Sequence, residues 1–252
     1  MQKTFIWFDL GYTLVYQNRE PLYQQFLLEE GINKSLEEIE AAYHVTDKLF
    51  MRQYPGALGR GLHTFYPWYI GVLNYTLQVR FDLHTQAARL HELQKEEDEL
   101  TWRAFPFVRN VFDALKNQGY GIGLISNWDA GCKSVLEANG LIHYFDELIV
   151  SSEVELEKPD ERIFTFAMER AGVSPEQCVY VGDNYYDDVV GSAKAGMDCY
   201  LINRFGRLGV EELQYDRLIS SIQELPALLR LLRQQGESAV TSRTISSLHF
   251  ET

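Results

Sequence analysis

Short apolar runs alternate along this chain with segments of helical period, and that alternation limits the folds open to it more than any other feature. The strand-like runs are Thr4 to Leu10, Gly121 to Ser126, Glu147 to Ser151, Cys178 to Gly182 and Cys199 to Asn203. Between them lie stretches such as VRNVFDALKN, where Val108, Val111, Phe112 and Leu115 recur at three-to-four spacing. A second, DERIFTFAMERAG, puts Ile163, Phe164, Ala167, Met168 and Ala171 on one side. Such faces bury helices against a sheet. Ser174-Pro175-Glu176-Gln177 combines a cap residue, a proline at the first helical position and a glutamine that closes the box, which predicts a short helical turn before the fourth run. The pattern as a whole predicts an α/β fold: a parallel sheet flanked by helices, with ligands bound beyond the carboxyl ends of the strands.

From about Tyr16 to Ala104 the rhythm breaks into consecutive helical segments. These are PLYQQFLLEE, a segment opened by the Ser35/Glu38 capping box and running toward Met51, one from Leu62 to Leu73, and one from Thr85 to Leu100. An all-helical insertion after the first strand can sit over the crevice as a cap. Its aromatics, among them Phe65, Tyr66, Trp68, Tyr69 and Tyr75, are expected to form the cap's own core, with one or two facing a substrate. The expected division is a core in two segments, 1–15 and 104–235, a helical cap at 16–103, and a loosely held polar tail at 236–252. A last core helix is predicted over Leu225 to Leu232.

Arg and Lys total 23 against 36 Asp and Glu, a formal net charge of -13 at pH 7. Such a surface repels nucleic acid and anionic membranes unless positive charge is concentrated locally, and Arg204 and Arg207 are too sparse for that. The expected partner is a small molecule, with no nucleic acid and no membrane; oligomeric state is left open. The longest apolar runs, around FIWF and YGIGLI, fall far short of the roughly 20 residues that cross a bilayer. No export-signal pattern opens the chain, and the expected compartment is the cytoplasm. Cys132, Cys178 and Cys199 fit neither a metal knuckle nor a disulfide framework and are read as buried small hydrophobes.

Asp9 leaves the first run in FDLGYTLV, where Gly11, Tyr12 and Thr13 turn the chain. A carboxylate held at the end of a buried strand can attack an electrophile or bind a cation. Asp183 follows Gly182 at the end of the fourth run, with Asp187 and Asp188 four and five residues later. Two like charges about 4 Å apart repel by roughly 4 kcal/mol at an effective dielectric near 20, so packing these groups beside Asp9 calls for a counterion. Mg²⁺ suits the task, because it takes several oxygens and keeps waters that a substrate phosphate can replace. One of Asp187 and Asp188 is also expected to cap the next helix. Ser126, in ISNWD, can donate a hydroxyl hydrogen bond to a phosphate oxygen, helped by the backbone N–H groups after it. Lys158, in EKPD, supplies positive charge.

These four ordered motifs resemble those of the haloacid dehalogenase superfamily, in the branch with a helical cap inserted after the first core strand. The resemblance covers roughly Lys3 to Leu14 and Ala104 to Leu232, while the cap matches only in length and helical character. It implies a Rossmann-like core and makes Asp9 the nucleophile, Ser126, Asn127 and Lys158 the phosphate-binding residues, and Lys158 the stabiliser of the intermediate. Asp9, Asp183 and Asp188 correspond to the metal-binding acids of the GDxxxxD form, with Gly11 offering its backbone carbonyl; Asp187 is the alternative in the shorter GDxxxD register. The implied reaction is Mg²⁺-dependent attack of Asp9 on the phosphorus of a small phosphorylated substrate, giving an aspartyl-phosphate that water then releases.

The chain departs from the family's phosphatases at Gly11, where they carry an aspartate that protonates the leaving alcohol. General acid-base catalysis contributes roughly 10²- to 10⁴-fold, so the expectation is slow hydrolysis of alkyl phosphomonoesters, with acyl phosphates and p-nitrophenyl phosphate less affected. Tyr12, with an ordinary pKa near 10, is a poor substitute. Three alternatives stand beside this reading. One is a catalytically impaired phosphate-binding or protein-interaction module. Another is a 2-haloacid dehalogenase-like hydrolase, whose DxYGT motif differs in order from Gly11-Tyr12 and needs no metal. The third is a phosphonate hydrolase, which requires a cap lysine over Asp9; Lys34, Lys48 and Lys95 are the candidates.

Overall fold

The computed structural model describes residues 2–59, 61, 64–96 and 102–234. Strand β1 (Phe5–Phe8) is buried throughout. The chain then forms a short β2 (Val15–Tyr16), its partner β3 (Arg103–Ala104), and β4 (Gly121–Ser126), β5 (Glu147–Val150), β6 (Cys178–Gly182), β7 (Asp198–Ile202) and β8 (Leu218–Ile219). The main sheet has six strands in the order β5-β4-β1-β6-β7-β8, every neighbouring pair parallel. Successive side chains of a strand point to opposite faces, and β1 follows that rule. Ile6 and Phe8 join the cluster of helix α5 (Val108–Asn117), with Val108, Val111, Phe112 and Leu115, and of the last helix (225–234), with Leu225 and Leu229. Phe5 and Trp7 join the opposite cluster, with Ile163, Phe164, Ala167 and Met168 of helix α8 (Glu161–Ala171). Between these two lie α6 (Cys132–Ala138) and the short α7 (Ser151–Val154). Gly121 and Gly123 make this packing possible, because the Phe5 and Trp7 rings lie where their Cβ atoms would be.

The regular part of β1 is shorter than Thr4 to Leu10, but its ladder continues past both ends: Thr4 N–H donates to the Gln177 carbonyl and Asp9 N–H to that of Val181, each at 2.9 Å. Asp9 is therefore held by the sheet itself. The antiparallel pair β2–β3 carries the chain out to the cap and back. The cap comprises α1 (Glu20–Glu29), α2 (Leu36–Gln53), α3 (Tyr66–Leu77) and α4 (Leu83–Glu96) around its own core, which includes Tyr23, Phe26, Leu27, Ile39, Phe50, Tyr69 and Leu73. Both hydrogen bonds of the Ser35/Glu38 capping box form, and in the Ser174/Gln177 pair the Gln177 side chain accepts from Ser174 N–H at 2.9 Å. Helix α3 starts at Tyr66 rather than Leu62, where Pro67 occupies its first turn and its missing N–H is harmless. Leu62 and Leu100 lie outside the described residues, as does the tail expected at 236–252.

The cap aromatics serve the cap. Phe65 and Tyr69 are buried in its core, Tyr75 is 85% exposed, and none of the five singled out in the sequence lines the cavity of about 390 Å³ between cap and core. The cavity's aromatic walls come instead from Tyr12, Tyr16, Phe105 and Phe205, because the connecting segments near the strand ends, rather than the cap's interior, face it. The three cysteines are free and buried. Among the described residues no helix is long and apolar enough to cross a membrane.

Candidate active site

The carboxyl ends of β1, β4 and β6 bring Asp9, Ser126 and Asp183 together. Oδ1 of Asp9 accepts from Ser126 Oγ at 3.0 Å and from Lys158 Nζ at 2.7 Å. The same ammonium donates to Asp188 Oδ1 at 2.7 Å and to the Tyr180 hydroxyl at 2.9 Å, which exhausts its three hydrogens. Tyr180 in turn donates to the Ile125 carbonyl at 2.8 Å, so one buried ring ties the lysine to β4. The Asn127 side chain clasps the Lys158 backbone from both sides: Nδ2 donates to its carbonyl at 2.9 Å and Oδ1 accepts from its N–H at 2.8 Å. That amide positions the Lys158 backbone.

One oxygen each from Asp9, Asp183 and Asp188 lies within 4.8 Å of the other two. Asp187 is outside this cluster and accepts from Asn184 Nδ2 at 2.7 Å. Neither Asp187 nor Asp188 caps the following turn, contrary to expectation. Asn184 does so, accepting from the N–H groups of Tyr186 and Asp187, and this frees Asp188 to fold back beside Gly182 and accept from Asn184 N–H at 2.9 Å. A side chain at position 182 would overlap the Asp188 carboxylate. Gly182→Ala is accordingly expected to cost about 1–3 kcal/mol of stability through overpacking and to weaken divalent-cation binding about 10- to 100-fold by displacing a carboxylate. Thermal denaturation and calorimetric titration with Mg²⁺ read the two effects.

Burial dominates the electrostatics. It raises the Asp9 carboxyl above the usual range, opposed by Lys158 and reinforced by Asp188. It raises Asp183 to about 7 against the pull of Lys48, and Asp187 to about 7 with Asp188 adding to the effect. Burial works against the Lys158 charge as well, but Asp188 and Asp9 outweigh it and hold the ammonium well above its ordinary value. Carboxylates pressed toward neutrality in a confined space are carboxylates short of positive charge. The cluster offers oxygen donors only, which suits a hard divalent cation. Oxygens about 2.1 Å from one shared ion lie at most about 4.2 Å apart, a span close to the 4.8 Å that encloses this cluster.

Two features of the site, Tyr180 and the indoles beside Gly11, escaped sequence reasoning, and Lys48 was named there only as one of three candidate cap lysines. Tyr180 was hidden in a buried strand. Lys48, on α2, hydrogen-bonds the Asp183 carbonyl and lies 3.4 Å from its Oδ2, whereas Lys34 pairs with Glu38 at 3.1 Å on the cap surface. At Gly11, a Cβ would stand 3.3 Å from the Trp128 ring and 3.7 Å from that of Trp102, two indoles that pack edge-to-face at 4.8 Å. Trp128 directly follows Asn127 in the sequence, a signal that was available. Tyr12 adopts a left-handed φ of 54° and lies under the Arg19 guanidinium, 4.6 Å from ring centre to Cζ, which places its ring against the cap entrance.

Comparison with known proteins agrees with this arrangement. The family model described as haloacid dehalogenase-like hydrolase matches residues 8–202. A glyceraldehyde 3-phosphate phosphatase of Methanothermobacter thermautotrophicus is 39% identical over 107 residues, 40% of this chain and 45% of that protein. The haloacid dehalogenase-like hydrolase domain-containing protein 3 of Danio rerio is 32% identical over 130 residues, 51% of this chain and 54% of that one. The chain thus spans about half the length of these curated relatives. Among solved structures, a hydrolase from Streptococcus pneumoniae TIGR4 shares the fold with a TM-score of 0.59 at 20% identity, covering 81% of this chain and 94% of its own. With its model matched from the end of β1 through β7, the chain belongs to the haloacid dehalogenase-like hydrolase family.

Proposed function

We propose that this protein is a Mg²⁺-dependent phosphohydrolase that attacks a small phosphorylated substrate with Asp9. The observation that carries the reading is the convergence of Asp9, Asp183 and Asp188 within 4.8 Å of one another, with the buried Lys158 ammonium between Asp9 and Asp188 and that of Lys48 on Asp183. The phosphatase name of the Methanothermobacter thermautotrophicus relative supports the same class of substrate. Asp9 and Lys158 are the catalytic side chains, with Asp9, Asp183, Asp188 and the Gly11 carbonyl holding the cation. Bound there, Mg²⁺ supplies positive charge that offsets the transferring phosphoryl oxygens. Ser126 and Lys158, now turned on Asp9, are positioned to donate to the oxygens of a phosphoryl group entering beside it. Asp9 displaces the leaving group and carries the phosphoryl as an acyl phosphate until water releases it.

Hydrolysis of p-nitrophenyl phosphate and acetyl phosphate by the purified protein is expected to require Mg²⁺, falling to background with EDTA and returning when Mg²⁺ is restored. Turnover indifferent to EDTA would contradict the proposal. The indole walls beside Gly11 favour a second reading, a phosphate-binding module with little turnover. Tight binding of phosphate and Mg²⁺ in calorimetry, with acetyl phosphate left intact, would select it.

A further inference from the structure

Lys48 is the one cap residue, among those described, whose ammonium hydrogen-bonds the acidic cluster, and the proposed function so far gives it no task. Its side chain is 6% exposed. The stem is wedged between α2 and the loop after β7: a Cβ on Gly209 would stand 3.1 Å from its Cβ and Cγ, and His44, one turn earlier on α2, bonds the Leu208 carbonyl at 3.0 Å. Arg52 pairs with Glu212 at 2.6 Å on the same loop. The cap therefore delivers this charge to a fixed place. That place is the border between the cluster and the cavity, which Lys48 lines together with Asp183 and Tyr12.

A buried ammonium is tolerated because an anion accompanies it. Asp183 is its carboxylate partner here. A divalent cation on Asp183 takes over that carboxylate and leaves Lys48 beside another positive charge, unless a new anion arrives with the substrate. Three carboxylates, two ammoniums and one divalent cation leave a single net positive charge to meet a phosphoryl dianion; without Lys48 there is none. On the core side, Ser126 and Lys158 face the phosphoryl group. The substituent it carries needs room, and the cavity provides it. The oxygen joining the two must then pass Lys48.

Resting on the phosphohydrolase reading above, we propose that Lys48 is a catalytic residue that hydrogen-bonds the leaving-group oxygen as its bond to phosphorus breaks. In that step an oxygen of Asp9 bonds to phosphorus, the electron pair of the departing P–O bond passes to the leaving oxygen, and a proton from water completes the alcohol. Lys48 transfers no proton in this step and contributes a charge and a hydrogen bond. This partly offsets the acid missing at position 11. The benefit grows with the charge that develops on the leaving oxygen, so it is largest for alkyl esters and small for p-nitrophenolate.

The test compares full-length wild type, Lys48→Met, Lys48→Arg and Asp9→Asn in Mg²⁺ with glycerol 2-phosphate and p-nitrophenyl phosphate. Lys48→Met is expected to lower kcat/KM roughly 10²-fold for the alkyl ester and less than about 10-fold for the aryl ester, with Lys48→Arg recovering most of the alkyl activity. Equal losses on both esters, or no loss on the alkyl ester, overturn the assignment. Calorimetry gives an independent readout: Lys48→Met should bind Mg²⁺ at least as tightly as wild type, and a tenfold weakening would show that Lys48 only holds the cation site together. Leaving-group-independent losses in an enzyme still silenced by Asp9→Asn overturn the role of Lys48 alone. A wild type inactive on both esters overturns the phosphohydrolase reading with it.

Discussion

Asp9→Asn is expected to lower p-nitrophenyl phosphate turnover by about 10⁴-fold or more, as removal of a nucleophile does, while the protein melts at or above the wild-type temperature. The two halves of this result come from one geometry. The amide oxygen can still accept from Ser126 and Lys158, so the hydrogen bonds at 3.0 and 2.7 Å have a partner. Lys158 also keeps its ion pair with Asp188. What disappears is one negative charge from a cluster of three. Burial raises the Asp9 carboxyl above its unfolded value. A raised carboxyl contributes stability below the unfolded value and loses it as pH rises through the folded one, so at neutral pH the Asp9 charge is a cost that the amide removes. Thermal denaturation without added cation, run beside the turnover assay, checks both halves. Activity within tenfold of wild type would remove Asp9 from the chemistry, and a large drop in melting temperature would make it a structural residue.

The second large effect concerns the missing acid. Gly11→Asp together with Trp128→Ala is expected to raise turnover of an alkyl phosphate such as glycerol 2-phosphate by about 10²-fold or more, the range of general acid-base catalysis. Gly11→Asp alone should gain less. The reason is steric: a Cβ at position 11 already stands 3.3 Å from the Trp128 ring, and a carboxylate must extend further into the space that Trp102 and Trp128 fill. Backbone strain is no obstacle, since Gly11 does not take a positive φ, whereas Tyr12 does. p-Nitrophenyl phosphate, whose leaving group needs no proton, should change little in either variant. An alkyl turnover unmoved in the double variant would mean that the slow step lies elsewhere.

Much of this site could be read from the chain alone because its signals are local. A buried strand, a turn and a polar residue at the strand end are specified within ten residues or so, which is why Asp9, Ser126 and Asp183 can be placed at one edge of a sheet from the sequence. Local chemistry also fixed the Ser35/Glu38 capping box and the Gln177 side-chain bond to Ser174 N–H, since each closes within four residues. Local reasoning failed where short-range solutions compete: Asp187 or Asp188 was expected to cap the helix after β6, but Asn184 caps that segment and Asp188 is left to accept from the Lys158 ammonium.

Strand periodicity and polar residues at the strand ends were enough to foresee a parallel sheet that gathers Asp9, a serine, a lysine and further acids at one edge, with glycine rather than an acid at position 11. What surrounds them came from packing in three dimensions. The indoles of Trp102 and Trp128 fill the space beside Gly11, Asn127 spends its amide on Lys158, and Lys48 crosses from the cap to Asp183 over a separation of 135 residues. Contacts of that kind leave no periodic trace in a sequence. They follow from how helices pack against each other and against the sheet, where one lysine among several on the cap is selected by the angle at which α2 meets the loop after β7.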